Sequence, residues 1–388
     1  MKLVIDENIP YAAEYFGQLG EIAKVPSRHI PEEALEDADA LIIRSVTKVN
    51  RELLDRAPKL SFVGTCTIGT DHVDQTLLED RGIAFSSAPG CNRLSVGQYV
   101  FSSLFQVTDC DPSKLTGRSI GIIGGGNTGS AVAAYAALFD MDIRICDPFL
   151  SQAGACGNGR FVSYRKALAS DIVTFHVPLT RDGPYPTYHM FGREEMESVR
   201  SGAILVNASR GDVWDNQALL AETGRRGDPN AVSADPFRLV MDVWEHEPKV
   251  LEPLIPHTLI STAHIAGYSN EGKLRGTSMI ASAFCRHFGI SVNLPRESDL
   301  IAPKRMCLPQ GRDAKEVFMR LALAVYTPER DSDIFRSRYR DEASFDLIRK
   351  TYPGRSEWSS VAVSAEDGPT ARLLAAAGFV VDGPKRHE

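Results

Sequence analysis

The sequence predicts an α/β protein with two doubly wound parallel-sheet domains and a carboxyl-terminal α+β segment. Three observations predict it. Short apolar runs alternate with helix-length stretches through most of the chain, the pattern of strand and helix units in α/β domains. Runs such as ALII and SFVG lack polar alternation, as strands covered on both faces do. A glycine-rich turn between an apolar strand and a helix opens a second such series. At 388 residues the chain exceeds what one core usually organises, so two or three domains are expected.

In chain order, the first series runs KLVID, YAAEYFGQLG, ALIIRS, VNRELLDRA, LSFVGT, TLLEDRG and IAFSSAP. An apolar helix over Val96 to Val107 follows, and TDCDPSKLTG supplies the Asp, Pro and Gly punctuation of a domain junction. The second series has strands SIGIIG, DIRICD, DIVTFHVP, AILVNAS and LVMDVW at βαβ spacing, then LISTAHIAG and a long helix from Asn270 to Phe288. The last hundred residues, with VFMRLALAVY, PERDSDIFRSRYRDE, EWSSVAVSAE and ARLLAAAGFVVD, read as helices plus a few strands. The expected boundaries are 1–95 with 257–288, 96–256, and 289–388.

Forty-three Lys and Arg against 50 Asp and Glu leave a net charge of −7, which repels a polyanion, so no nucleic-acid partner is expected. Asp6 and Glu7 interrupt the position of a signal-peptide core, and no stretch is apolar enough to span a membrane, so a cytoplasmic location is expected. Seven cysteines form no CxxC pair and nine histidines no HExxH, so neither disulfides nor a metal site are expected.

The turn reads Gly124-x-Gly126-Asn127-Thr128-Gly129 between SIGII and a helix with a small-residue face. Glycines there permit a tight turn, admit a pyrophosphate to the backbone and allow close helix packing, with the helix amino terminus facing the phosphates. Asp147 ends the next strand, where a carboxylate binds the ribose hydroxyls and repels a 2′-phosphate. This is a Rossmann fingerprint, and NAD is expected over NADP, with Arg144 not overriding the choice. The alternative is a ligand-free turn, with Asp147 starting a turn before Pro148.

Three further segments carry polar groups at strand ends, where doubly wound folds place ligands: NASRG around Arg210, DVWEHEP around Glu247 and TAHIAG around His264. Singly, each has an ordinary structural reading as an ion pair, a solvated turn or a hydrogen-bonded histidine. His176 reads as lining the cofactor site or packed, and His246 as exposed. Together, downstream of the glycine turn, the three segments resemble the NAD-dependent D-isomer-specific 2-hydroxyacid dehydrogenases. RSVTKVN, GTDHVD, SAPGCN, DGPYPT, HIAGYSNEGKLRGT and EWSS extend the resemblance over essentially the whole chain.

The resemblance implies a flavodoxin-like substrate domain, a Rossmann NAD domain inserted in it, a carboxyl-terminal dimerisation domain and an active site in the interdomain cleft. It implies a homodimer that oxidises 4-phospho-D-erythronate to 2-oxo-3-hydroxy-4-phosphobutanoate, in pyridoxal phosphate synthesis. His264 is then the base, Glu247 its orienting carboxylate and Arg210 the carboxylate clamp, roles that suit these residue types chemically. Ser45, Thr67 and Tyr268 carry over as substrate contacts, and Asp242, Gly267 and the backbone of Ala208, Ser209 and Arg210 as cofactor contacts. Arg44 is added from its own chemistry as a phosphate partner, against an equally good reading as an ion pair on a strand end.

Relatives carry proline where this chain has Ala263, which is expected to leave the His264 loop less constrained. Gln98 stands where Glu is common and Val177 where Thr is common. Residues 227–237 read as a surface insertion. Two alternatives remain open: a dehydrogenase for another D-2-hydroxyacid such as phosphoglycerate, and a non-catalytic NADH-sensing regulator on the same scaffold.

Overall fold

A computed structural model describes residues 1–155, 157–226, 237–366 and 368–383. The chain forms two units, Met1–Arg93 with Tyr268–Ala302, and Leu94–Gly267 with the chain from Pro303 onward.

In the first unit, β1 (Lys2–Asp6), β2 (Glu21–Val25), β3 (Ala40–Ile43), β4 (Phe62–Thr65) and β5 (Ala84–Ser86) pair in parallel, in the order β2-β1-β3-β4-β5. This is the flavodoxin-like order. Successive side chains leave opposite faces of a strand. Leu3, Ile5 and Ile42 therefore pack with Phe16, Phe62 and Phe284, whereas Val4, Leu41 and Ile43 pack with Leu35, Leu53 and Leu78. Two buried faces explain the unbroken apolar runs.

The helix Asn270–Phe288 starts where Ser269 Oγ accepts the Gly272 amide at 2.9 Å and ends at Gly289, whose φ of 66° suits a residue without Cβ. Its Ile280, Ala281 and Phe284 are buried in the first unit's core.

The second unit holds β6 (Ser119–Ile123), β7 (Asp142–Cys146), β8 (Arg160–Phe161), β9 (Ile172–Phe175), β10 (Ile204–Asn207), β11 (Arg238–Met241) and β12 (Thr258–Ser261). All pairs are parallel, in the order β12-β11-β10-β9-β6-β7-β8. The order reverses between β6 and β9, the switch point at which such sheets bind dinucleotides. β12 pairs with β11, so the strand expected to begin the return to the first domain completes the second sheet instead, and the chain changes unit only at Tyr268.

A small parallel sheet of β13 (Lys304–Arg305), β14 (Val361–Ser364) and β15 (Val380–Asp382) lies in the carboxyl-terminal segment. Rather than standing apart, this segment shares a core with the second unit. Phe318 sits 5.5 Å from Phe105 and 5.7 Å from Phe139, ring to ring, and Trp358 sits 4.8 Å from Tyr135. Phe335 stacks on Trp244 at 5.4 Å. Burying each such ring stabilises the fold by roughly 1.5–3 kcal/mol.

Candidate active site

The glycine turn joins β6 to the helix Asn127–Ala137, and its three glycines do different work. Gly124 has φ 93° and lies so close to β9 that an added Cβ would sit 2.6 Å from the His176 carbonyl oxygen. At Gly129 an added Cβ would meet the Gly124 carbonyl oxygen at 1.9 Å, so this glycine lets the helix pack on the turn. Gly126 faces open space, with no atom within 4 Å of a Cβ built there. A turn with one open glycine, followed by helix N–H groups that lack intrahelical acceptors, fits a pyrophosphate.

Asp147 closes the turn from β7. One carboxylate oxygen accepts the Gly125 amide at 2.9 Å, and the other caps the next helix by accepting the Leu150 amide at 3.0 Å. The acid is thus fixed beside the glycines by two backbone donors. Asn127 and Thr128 open the helix. Ala208, Ser209 and Arg210 follow β10, two strands from β6, and the buried Ser209 is held through Asn207. Gly267 ends this unit's run of chain.

Two of the three residues read as catalytic, Glu247 and His264, meet through two loops. Glu247 Oε1 accepts the Trp244 amide at 2.7 Å, and Glu247 Oε2 lies 2.7 Å from His264 Nδ1. Trp244 Nε1 donates to the Thr262 carbonyl at 2.9 Å, which ties the Glu247 turn to the His264 loop. Burial pushes the Glu247 carboxyl pKa up, but the neighbouring His264 and the Trp244 amide outweigh it and hold it below its ordinary value. An ionised Glu247 can only accept, so Nδ1 carries a hydrogen, and in the neutral ring the lone pair is then on Nε2.

Arg210 stands before Gly211, whose Cα presses against the Trp244–Glu245 backbone; an added Cβ would lie 1.7 Å from the Trp244 carbonyl oxygen. That contact brings the Arg210 backbone to the turn bearing Glu247, and Arg210 Nη1 donates to the Ser209 carbonyl at 2.9 Å. Asp242, read as a cofactor contact, is engaged within the protein: it accepts the Ile265 amide and the Thr262 hydroxyl, both at 2.7 Å, and the Ala266 amide at 2.9 Å. With His264 N–H bonded to the Asp242 carbonyl at 2.7 Å, the loop after the buried Ala263 is held without a proline.

Arg44, Ser45, Thr67 and Tyr268 all lie in the first unit. Arg44 and Ser45 follow β3 and Thr67 follows the neighbouring β4, at the ligand-binding ends of parallel strands. Arg44 Nη1 donates to the Asn8 carbonyl at 3.1 Å, Thr67 Oγ1 lies 2.7 Å from Thr65 Oγ1, and Lys273 Nζ is 5.0 Å from the Tyr268 ring centre.

Sequence reasoning missed the pairing of the half-buried His189 with the buried Glu245, whose other carboxylate oxygen accepts the Asn216 amide at 3.0 Å. Asp212, Glu245 and the exposed His246 bring donor atoms within 4.8 Å of one another, but Glu245 is already engaged by His189. Gln98 bridges the Tyr135 hydroxyl and the Trp358 amide, at 3.1 and 3.2 Å. Val177 packs beside Gly124. The insertion lies outside the described residues over 227–236; Phe237 is buried in the core.

Residues 98–266 match the family described as D-isomer specific 2-hydroxyacid dehydrogenase, NAD binding domain, and 303–378 match a domain of unknown function. An erythronate-4-phosphate dehydrogenase of Tolumonas auensis is 46% identical, covering 99% of this chain and 100% of that protein. One of Aeromonas salmonicida is 47% identical over 98% of this chain and 99% of its own. Among solved structures, D-lactate dehydrogenase of Aquifex aeolicus, complexed with NAD and lactic acid, superimposes with TM-score 0.58 at 23% identity, covering 74% of this chain and 96% of that one. Near-complete coverage at this identity shows that the chain belongs to the erythronate-4-phosphate dehydrogenase family, a branch of the D-isomer specific 2-hydroxyacid dehydrogenases.

Proposed function

We propose that the protein oxidises 4-phospho-D-erythronate to 2-oxo-3-hydroxy-4-phosphobutanoate with NAD, a step of vitamin B6 synthesis. The observation that carries the catalytic part is the 2.7 Å contact between Glu247 Oε2 and His264 Nδ1, in the unit that also holds a turn suited to a dinucleotide. Glycines 124, 126 and 129 with Asp147 would hold NAD, which when bound supplies the hydride acceptor. His264 Nε2 removes the proton of the substrate's C2 hydroxyl, and Glu247 stabilises the imidazolium that results. Arg210 holds the substrate carboxylate and polarises the carbonyl as it forms. Arg44, Ser45 and Thr67, at the strand ends of the first unit, supply a cation and hydroxyls suited to the phosphate, and Tyr268 a further contact.

A homodimer formed through the carboxyl-terminal segment and a cytoplasmic location go with this reading, on the strength of the resemblance. Sedimentation at micromolar concentration tests the dimer; a monomer throughout excludes it. The substrate is tested by comparing 4-phospho-D-erythronate, 3-phosphoglycerate and D-lactate side by side for NADH formation with product removed. Preference for the first supports the reading, and preference for either other substrate replaces it.

A further inference from the structure

Arg355 lies far along the chain from the NAD-binding match, in the segment matched to a domain of unknown function, yet only 7% of it is exposed. Its Nη1 donates to the Ile265 carbonyl at 3.0 Å. Its Nη2 donates to the Ala266 carbonyl and, at 3.1 Å each, to the carbonyl and hydroxyl of Ser95. The Ser95 hydroxyl itself donates to the Ala266 carbonyl at 2.8 Å. The Tyr326 ring lies 4.1 Å from the guanidinium carbon, and Tyr352 links Nη1, at 3.4 Å, to the Asp331 carboxylate, at 3.0 Å.

Ile265 and Ala266 are the two residues after His264. Asp242 holds their amides and Arg355 their carbonyls, so each residue is held at both its N–H and its C=O, and the peptide unit joining them is gripped from two sides. His264 has φ 54°, a left-handed conformation uncommon for residues that carry a side chain. A buried cation is costly to keep, and packing alone would be served as well by an apolar side chain. What an apolar residue cannot do is donate to carbonyls in fixed directions, which the planar guanidinium does.

We propose that Arg355 is a positioning residue for His264, making the carboxyl-terminal segment part of the catalytic apparatus through the loop it braces. This rests on the reading of His264 as the base.

The test uses the full-length protein as Arg355→Ala and Arg355→Lys, checked for folding by circular dichroism. Three readouts are taken: NADH formation, NADH affinity, and titration of the His264 ring by NMR with labelled histidine, assigned with His264→Gln. Misplacing a reacting group by about 1 Å costs on the order of a hundredfold. The expected result for Arg355→Ala is a kcat lower by roughly tenfold to a hundredfold, NADH affinity within about twofold of wild type, a displaced His264 titration, and partial recovery with added guanidinium. Arg355→Lys keeps the charge without the fork and shows the same displacement, which carries the test if the alanine variant does not fold. An unmoved His264 titration overturns the proposal, as does a parallel loss of activity, cofactor affinity and melting temperature without rescue. A wild type inactive on 4-phospho-D-erythronate fails the substrate reading instead, and the ring titration still decides the role of Arg355.

Discussion

His264 Nδ1 and Glu247 Oε2 lie 2.7 Å apart across two loops joined by the Trp244–Thr262 hydrogen bond. The contact fixes the ring's tautomer, because an anionic carboxylate leaves Nδ1 no role but donor. Replacing Glu247 by Gln removes the charge and offers Nδ1 an amide that can also donate, which favours the wrong tautomer. Activity is expected to fall on the order of a thousandfold, with NADH affinity nearly unchanged. The check is steady-state kinetics beside a fluorescence titration of NADH; a Gln variant with wild-type kcat would remove Glu247 from the mechanism.

Asp147 both faces the cofactor turn and caps a helix through the Leu150 amide. Asp147→Asn keeps an oxygen for the cap while removing the charge that repels a 2′-phosphate. The ratio of NAD to NADP efficiency should fall by roughly tenfold to a hundredfold. Unchanged discrimination, measured with both cofactors, would show that another group excludes the phosphate.

The glycines of the turn should separate under substitution. Gly126→Ala adds a methyl into open space and should melt like wild type while binding NADH more weakly. Gly129→Ala places a methyl 1.9 Å from the Gly124 carbonyl oxygen and should cost about 1–3 kcal/mol or more in stability. Calorimetry with and without NADH distinguishes them; identical behaviour would contradict the assignment of separate roles.

His176 supplies a pH dependence of stability. The residue is partly exposed, but its Nδ1 is buried without a partner and burial pushes its pKa down to about 3, while Nε2 contacts Thr174 Oγ1 at 2.8 Å. The unfolded chain takes up a proton below an ordinary value of about 6.5, whereas the folded chain does not until about pH 3. Stability should therefore fall as pH drops through that window and be unaffected by this group above it. His176→Asn should recover about 1–2 kcal/mol of the loss between pH 6.5 and 5. Urea titrations at several pH values measure it, and parallel curves for the two proteins would contradict the assignment.

Much of this was legible in the sequence because parallel strands must be apolar on both faces and because the glycine turn leaves a fixed spacing. Asp147 and the pairing of Glu247 with His264 followed from motif order. What the sequence hid lies in contacts to backbone atoms. Arg355 binds the carbonyls of Ser95, Ile265 and Ala266, and Asp242 the amides of Ile265 and Ala266. Backbone partners carry no residue identity, so no motif marks them. The placement of β12 was missed for a related reason: an apolar run announces a strand without naming its neighbour.

The most direct measurement mixes NAD and 4-phospho-D-erythronate with wild type and with His264→Asn, removes the 2-oxo product, and follows NADH. Wild type should form NADH, and the variant should bind NADH normally but turn over roughly 10²–10⁴-fold more slowly. A variant as fast as wild type would contradict the assignment of His264 as the base.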